Sequence, residues 1–298
     1  MSDTSLVAVQ PDAVTQLLQI NPYTGEIIMP SPDHSIVAAW MRVLTHRMLA
    51  LPAEQQVKFK VEHTFLDGMY LRKLFIPKGS LLVGRVHKTE CMNIVCEGDI
   101  AVLTESGSAR VKAGYSVVSP AGIQKLGFAH EDTIFCNVFR TDETDVNKIE
   151  DALGDVPELR PYDEDVTDFC GFMREYGLSD SGVAAVVLDM RDHIDLPHDQ
   201  QQVRFGPSDI HESGTFAMRD FAPGELVSNA RIGNLRTLVG RLTNHSMQPN
   251  CIFADDLQGG IIMIAEKFIA KDSELTINYR QAARVNVSLG LRPLKELS

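Results

Sequence analysis

Three short segments in the last third of the chain carry groups that could bind and orient a ligand. Asn244 and His245 lie in a short segment before a proline, where amide, imidazole and main-chain carbonyl groups are open to a ligand. The small residues of Ser213–Phe216 predict a tight loop, in which Gly214 lets a ligand approach the backbone. Tyr279 ends an alternating strand pattern, which would carry its phenol to the strand end. Together these groups could recognise the polar parts of a small molecule.

Each segment also has an ordinary structural interpretation. Gly214 could serve a hairpin, Asn244–Ser246 could form an Asx-type turn, and Tyr279 could be a core aromatic residue. The functional interpretation depends on all three segments occurring in one order, with a strand-forming run over 261–265 between the last two. That combination favours a shared site over three independent turns.

The elements that must position these groups are predicted mainly as strands. Helical spacing of apolar residues predicts a helix over 35–51, and two shorter helices over 146–153 and 167–176. Short strand-forming runs separated by Gly, Pro and Asp turns form a pattern typical of a sandwich or barrel. The predicted strands are 57–63, 69–76, 81–87, 92–96, 100–103, 117–118 and 134–139. A second strand-rich region begins near Val203.

Composition limits the classes of protein and partner. The 298 residues contain no apolar run of bilayer length and begin without a secretory signal, so we expect no membrane partner. Five cysteines without a C-x-x-C pair favour a reducing compartment, and we expect the cytoplasm. A net charge of −12 argues against nucleic-acid binding. Acidic residues concentrate in 141–200, which predicts a connector between two nearly neutral domains.

The three segments of the last third resemble the SET-domain family of S-adenosylmethionine-dependent protein-lysine methyltransferases. The matching stretches are Ser208–Asp220 with Pro223–Glu225, Asn244–Ser246 with Pro249–Cys251, and Glu274–Tyr279. The resemblance implies S-adenosylmethionine as cofactor, a lysine side chain of a protein as substrate, and Tyr279 as the catalytic residue. It also implies a set of cofactor-binding residues: Ser213, Gly214, Thr215, Phe216, Asn244 and His245.

The chain departs from the family pattern at three places. Glu212 replaces the first glycine of the usual Gly-x-Gly loop, and Ser273 replaces the glycine common before the last segment. The stretch between Ala217 and Asn244 is short, where relatives active on histones carry an insert that helps to build the lysine channel. A non-catalytic binding or assembly protein is therefore the alternative.

The first half resembles the cupin family at four places: Pro77–Gly79, Gly84–His87, Gly98 and Gly114–Gly122. The resemblance implies a jelly-roll barrel that pairs into homo-oligomers and, in cupins, holds a metal ion through His and Glu. Thr89 and Lys125 stand where two histidines are expected, so we expect no metal. His63, His87 and Glu90 could still converge on zinc or iron, which leaves a metal-dependent cupin enzyme as a further alternative.

The predicted fold is mainly β with short helices. Its parts are an N-terminal arm and helix (1–55), a cupin-like jelly-roll β-barrel (56–142), an acidic helical connector (143–200), a compact SET-type β-clip domain (201–285) and a C-terminal tail (286–298). The predicted function is protein-lysine N-methylation, with the first barrel as an accessory or dimerisation domain. A neutral lysine amine would displace the methyl group directly while Tyr279 orients it.

Overall fold

The computed structural model describes residues 6–9, 18–198 and 201–291, and the chain forms two compact units, 1–160 and 161–298. The remaining residues, among them parts of the predicted arm and tail, lie outside the described residues. Within the described ranges, no helix has both the length and the apolar character that crossing a membrane requires.

The first unit is built mainly from short strands. In chain order they are β1 (Leu6–Val9), β2 (Lys60–Leu66), β3 (Met69–Ile76), β4 (Leu81–Gly84), β5 (Val86–His87), β6 (Cys91–Glu97), β7 (Asp99–Thr104), β8 (Gly107–Lys112), β9 (Ser116–Ser119), β10 (Leu126–Ala129), β11 (Thr133–Arg140) and β12 (Gly154–Asp155). Sheet I has the antiparallel order β1-β4-β10-β7-β8, and sheet II has the antiparallel order β2-β3-β11-β6-β9. The short strands β5 and β12 pair separately.

Sheets I and II pack face to face around a shared apolar core. Leu74 and Val95 of sheet II contact Leu82 and Ile100 of sheet I in that core. No strand pairing joins the two sheets within the described residues, so the unit is a sandwich and the closed barrel predicted from the sequence is not observed. The run predicted as a single strand over 81–87 breaks at Arg85, and its second part, β5, pairs with β12 and not with a strand of sheet I.

Two helices and a single 3₁₀ turn complete the described part of the first unit: α1 (His34–Leu49), α2 (Val146–Leu153) and Ala53–Gln55. The side chain of Asp33 accepts the N–H of Ser35 at 2.7 Å and begins α1. Apolar residues such as Trp40 and Leu44 follow the helical period and pack on Leu81 of sheet I. The α1 prediction is confirmed to within two residues at each end.

The second unit combines helices and strands. Its helices are α3 (Asp163–Tyr176), α4 (Asp180–Leu188), a 3₁₀ turn (Met190–Asp192), α5 (Val239–Leu242) and α6 (Tyr279–Ser288). Its strands are β13 (Val203–Pro207), β14 (Ser213–Ala217), β15 (Leu226–Ile232), β16 (Leu235–Arg236), β17 (Asn244–His245), β18 (Cys251–Asp255), β19 (Ile261–Ala265) and β20 (Glu274–Ile277). They form two four-stranded sheets, β13-β14-β20-β17 and β16-β15-β19-β18, around one core.

The acidic segment 143–200 contributes to both units. Helix α2 lies in the first unit, whereas α3 and α4 lie in the second. Three acidic residues, Asp163–Asp165, occupy the first turn of α3, where negative charge suits the helix dipole. Gly177, with φ of 63°, ends that helix. Much of the acidic charge therefore lies on folded helices rather than on a free connector.

Candidate active site

The last two motif segments lie side by side in one sheet. Strand β17 pairs in parallel with β20, so that Asn244 lies opposite Thr276 and His245 opposite Ile277. The side chain of Asn250 reinforces this pairing, because it donates to the Glu274 carbonyl at 2.7 Å and accepts the N–H of Thr276 at 2.8 Å. These contacts join residues that are 24 to 26 positions apart in the sequence. The two segments therefore form one continuous surface.

Asn244 joins that surface to the loop before β14. Its Nδ2 lies within 3.2 Å of four acceptors: Ser208 Oγ, the carbonyl oxygens of His211 and Ser213, and Glu274 Oε1. Since all four atoms can accept a hydrogen bond, the amide nitrogen and not the amide oxygen must face them. Among the described residues, no hydrogen bond reaches Asn244 Oδ1. The side chain therefore stabilises the loop through nitrogen and presents oxygen as a spare acceptor.

The loop before β14 keeps a glycine-like backbone despite its sequence. Glu212, which replaces the family's first glycine, has φ of 42° in the left-handed region. Gly214 is buried against Glu274, and a Cβ atom at this position would overlap the Glu274 carboxylate. That carboxylate accepts the Ser208 hydroxyl at 2.8 Å. The loop shape is retained at the cost of backbone strain at Glu212.

His245 has both ring nitrogens in hydrogen bonds. Its Nε2 lies 2.9 Å from Asp168 Oδ2, and its Nδ1 accepts the backbone N–H of Tyr279 at 3.2 Å. An amide N–H can only donate, so Nδ1 carries no proton and Nε2 carries it. Burial lowers the pKa of His245, against the opposing effect of Asp168. The ring that the sequence predicts as open to a ligand is instead a neutral link between α3 and the motif.

Tyr279 begins helix α6 and does not end a strand as predicted. The side chain of Asn278 accepts the N–H of Arg280 at 3.0 Å and of Gln281 at 3.3 Å, which starts the helix. The Tyr279 hydroxyl donates to the Thr243 carbonyl at 3.0 Å. Burial raises the pKa of the Tyr279 phenol well above its usual range. The phenol therefore stays protonated, with its hydroxyl oriented by the Thr243 carbonyl.

An apolar pocket of about 220 Å³ lies against the Tyr279 ring. Phe169 and Phe172 of α3 stand edge-on to that ring, with centroids 5.8 and 5.6 Å away, and Tyr176 packs on Phe172 at 4.7 Å. Thr243 also lines the pocket. The acidic segment therefore supplies an aromatic wall, which the sequence interpretation missed. The sequence did contain a signal for this wall, namely the apolar face of α3. Such a face must pack against another part of the protein.

Three arginines lie along another part of the same pocket. Arg241 and Arg236 both bond Asp192, the latter through Nε at 2.6 Å. Arg231 donates to the Asn234 carbonyl at 3.0 Å, and burial lowers the pKa of its guanidinium. The pocket is thus apolar and aromatic on one side and cationic on the other.

The remaining predicted residues lie in β14 and its entrance. Thr215 is fully buried, and its hydroxyl oxygen accepts from Thr243 Oγ1 at 3.2 Å. Phe216 lies under the guanidinium of Arg204, 4.5 Å from the ring centroid, and the strand alternation places it on the face opposite Thr215. Ser213 is exposed beside Glu212. Ser213, Gly214 and Asn244 lie together, and Phe216 lies apart from them.

The metal-ligand candidates of the first unit do not converge. His63 pairs through Nδ1 with the Tyr70 hydroxyl at 2.7 Å, His87 pairs through Nδ1 with Cys91 Sγ at 3.1 Å, and Glu90 is exposed. Across the described part of the chain, no group of three or more His, Cys, Asp or Glu is placed to hold a metal ion.

Comparison with known proteins identifies one family. The family model of the SET domain matches residues 75–280. No curated protein matches the chain. Similar solved structures include a cupin-2 domain containing protein from Shewanella frigidimarina (14% identity, 28% of this chain and 80% of that chain, TM-score 0.25), KdgF from Halomonas sp. (17%, 30% and 81%, 0.26) and a Cupin 2 conserved barrel domain protein from Salinispora arenicola (13%, 28% and 76%, 0.26).

Proposed function

Because the chain belongs to the SET-domain family, we propose that its second unit is a protein-lysine N-methyltransferase that uses S-adenosylmethionine. The observation that carries this proposal is the place of Tyr279, whose phenol lies at an aromatic pocket while its hydroxyl is held by the Thr243 carbonyl. An aliphatic lysine stem suits such a pocket, and aromatic faces attract a methylated ammonium group.

The loop before β14 and the Asn244 segment carry polar groups that suit the amino-acid part of the cofactor. Asn244 Oδ1 is a spare acceptor of the kind that an ammonium group needs. Ser213 is exposed at the start of β14, so its backbone is the part of the loop that an amino-acid moiety could reach, whereas Gly214 is buried against Glu274. His245 contributes by holding the segment in place, since both its ring nitrogens are already bonded.

When bound, S-adenosylmethionine supplies a sulfonium methyl group that a neutral amine takes by in-line displacement. The Tyr279 hydroxyl hydrogen is committed to Thr243, so the lone pairs of its oxygen remain to accept an N–H from the amine. The phenol cannot remove the proton from a lysine ammonium, because burial keeps its own pKa high. The substrate amine must therefore enter neutral, and turnover should rise with pH in the alkaline range.

Calorimetric titration with S-adenosylmethionine tests the proposal. We expect micromolar binding in the wild type and in Tyr279→Phe, and at least ten-fold weaker binding in Asn244→Ala. Asn234→Ala is the matched control, because Asn234 is exposed in the same unit. Circular dichroism checks that each variant is folded. Methyl transfer to arrayed lysine peptides should fall at least 100-fold in Tyr279→Phe while cofactor binding persists.

A non-catalytic assembly protein is the second candidate. It is favoured by one observation, that Asn244, Ser208 and Glu274 bond one another inside the loop as a structural cluster would. Absence of binding at millimolar S-adenosylmethionine in folded wild-type protein would support this candidate and refute the methyltransferase.

For the first unit we propose a cupin-like accessory domain that pairs with a second copy of this chain. Strand β9 is the edge of sheet II, and its exposed Val118 lies beside exposed Met92 of β6. An apolar edge strand is a template for antiparallel pairing around a two-fold axis. Light scattering should give a dimer for the wild type and a monomer for Val118→Lys; a wild-type monomer at high concentration would contradict this proposal.

A further inference from the structure

A second cavity, of about 50 Å³, lies between sheets I and II of the first unit. One wall is apolar and is formed by alternate residues of both sheets: Leu74, Ile76, Leu82, Ile100, Val102 and Phe135. The other end is polar and carries Arg72, His87, Lys125 and Asn137. The cavity is thus amphipathic, with several times the space that a water molecule needs.

All but one of the polar residues at that end have identified partners. Arg72 Nη1 bonds Glu150 Oε1 at 2.9 Å, with both side chains less than a tenth exposed, and Arg72 Nη2 donates to Asn137 Oδ1 at 3.2 Å. The Asn137 amide nitrogen donates to Asn93 at 2.8 Å. These contacts leave Arg72 and Glu150 as a neutral pair and engage both ends of the Asn137 amide.

Lys125 is the exception. Its Nζ atom is buried, and it has no hydrogen-bond partner among the described residues. Burial, together with the charge of Arg72, lowers the pKa of Lys125, which is the expected response of a cation without an anion. His87 adds no further positive charge, because burial and the nearby Lys125 and Arg72 lower its pKa to about 3 and keep the imidazole neutral. A buried ammonium without a partner is costly, and a bound anion would remove that cost.

We propose that this cavity binds a short-chain aliphatic carboxylate, with its carboxylate on Lys125 Nζ and its alkyl chain against the apolar wall. One negative charge balances the single unpaired ammonium. A phosphate would bring additional charge and would place polar oxygens against Leu and Ile side chains. A metal cation would be repelled by the unpaired ammonium of Lys125. The small volume limits the ligand to a few carbon atoms.

Saturation-transfer NMR on the full-length protein tests this site with acetate and propionate, against the uncharged isosteres acetamide and propionamide, at constant ionic strength. We expect saturable transfer to the carboxylates and affinities at least ten-fold weaker for the amides. Lys125→Met should abolish the carboxylate signal. Lys148→Met is the matched control, because the Lys148 side chain is 69% exposed in the same unit and should leave binding unchanged.

Equal binding of acetate and acetamide by the wild type would overturn the proposal, and so would unchanged acetate binding by Lys125→Met. Competition of inorganic phosphate at the affinity of acetate would also overturn it, since that result indicates a general anion site. If Lys125→Met does not fold, the wild-type comparison of acetate with acetamide decides alone. The experiment contains no S-adenosylmethionine, so its outcome is independent of the methyltransferase proposal.

Discussion

His245 Nε2 lies 2.9 Å from Asp168 Oδ2, and this contact joins the motif segment to a helix 77 residues upstream. The same carboxylate oxygen accepts Arg280 Nη1 at 2.6 Å. Asp168 therefore holds the His245 tautomer on one side and the first turn of α6, which carries Tyr279, on the other.

Replacing Asp168 by Asn should destabilise the second unit. The asparagine oxygen can still face both donors, but the neutral amide removes the negative charge that strengthens the bond to Arg280, so we expect a loss of about 2 kcal/mol in the free energy of unfolding. Urea denaturation measures it. Glu175→Gln is the control, because Glu175 also bonds Arg280 but is 53% exposed, and its loss should stay below about 0.5 kcal/mol. Equal losses in the two variants would contradict this role of Asp168.

Replacing Glu212 by Gly should stabilise the second unit by about 1 kcal/mol, because glycine adopts the left-handed backbone of this position without strain. Thermal unfolding reports the change. Glu212→Ala keeps a Cβ atom and should show no such gain. A destabilised Glu212→Gly variant would mean that the exposed Glu212 side chain supports the loop.

Replacing Phe172 by Ala should destabilise the second unit by about 3 kcal/mol, since the side chain is buried between Tyr176 and Tyr279. It should also reduce kcat/KM for lysine peptides, because the wall that orients Tyr279 is opened. Phe268→Ala serves as control: Phe268 is 62% exposed in the same unit, and its loss should change stability by less than about 0.5 kcal/mol. If folded Phe172→Ala kept the wild-type kcat/KM, the aromatic wall of the pocket would not contribute to catalysis.

The stability of the first unit should fall as the pH drops below 6.5. His87 has a folded-state pKa of about 3 against 6.5 in the unfolded chain, so the unfolded state binds the additional proton between these values. This single group contributes at most about 1.4 kcal/mol per pH unit in that window. Urea denaturation from pH 7 to 4 should show a shallower pH dependence in His87→Gln than in the wild type. Identical slopes would refute the low pKa.

Local patterns predicted a large part of the fold. The apolar spacing located α1, and the apolar runs located β3 and β11, because these signals are contained within one element. Strands β8 and β10 were missed. The first is polar and half-exposed, and the second is four residues long with a central glycine, so neither has the alternation that marks a strand.

The candidate site was predicted in part. The occurrence of three motif segments in one order favoured a shared site, and the parallel pairing of β17 with β20 brings the Asn244 segment beside the segment that leads to Tyr279. Two features depend on long-range packing and have no local signature. One is the commitment of the His245 ring to Asp168, and the other is the aromatic wall from Phe169 and Phe172.

The position of α3 has a practical consequence for producing the second unit by itself. A chain that starts at residue 201, the domain boundary predicted from the sequence, would lack Phe169, Phe172 and Tyr176 and would leave the Tyr279 face uncovered. Newly exposed apolar surface of that kind promotes self-association. Expression from residue 161 onward should therefore give a better-behaved protein than expression from residue 201.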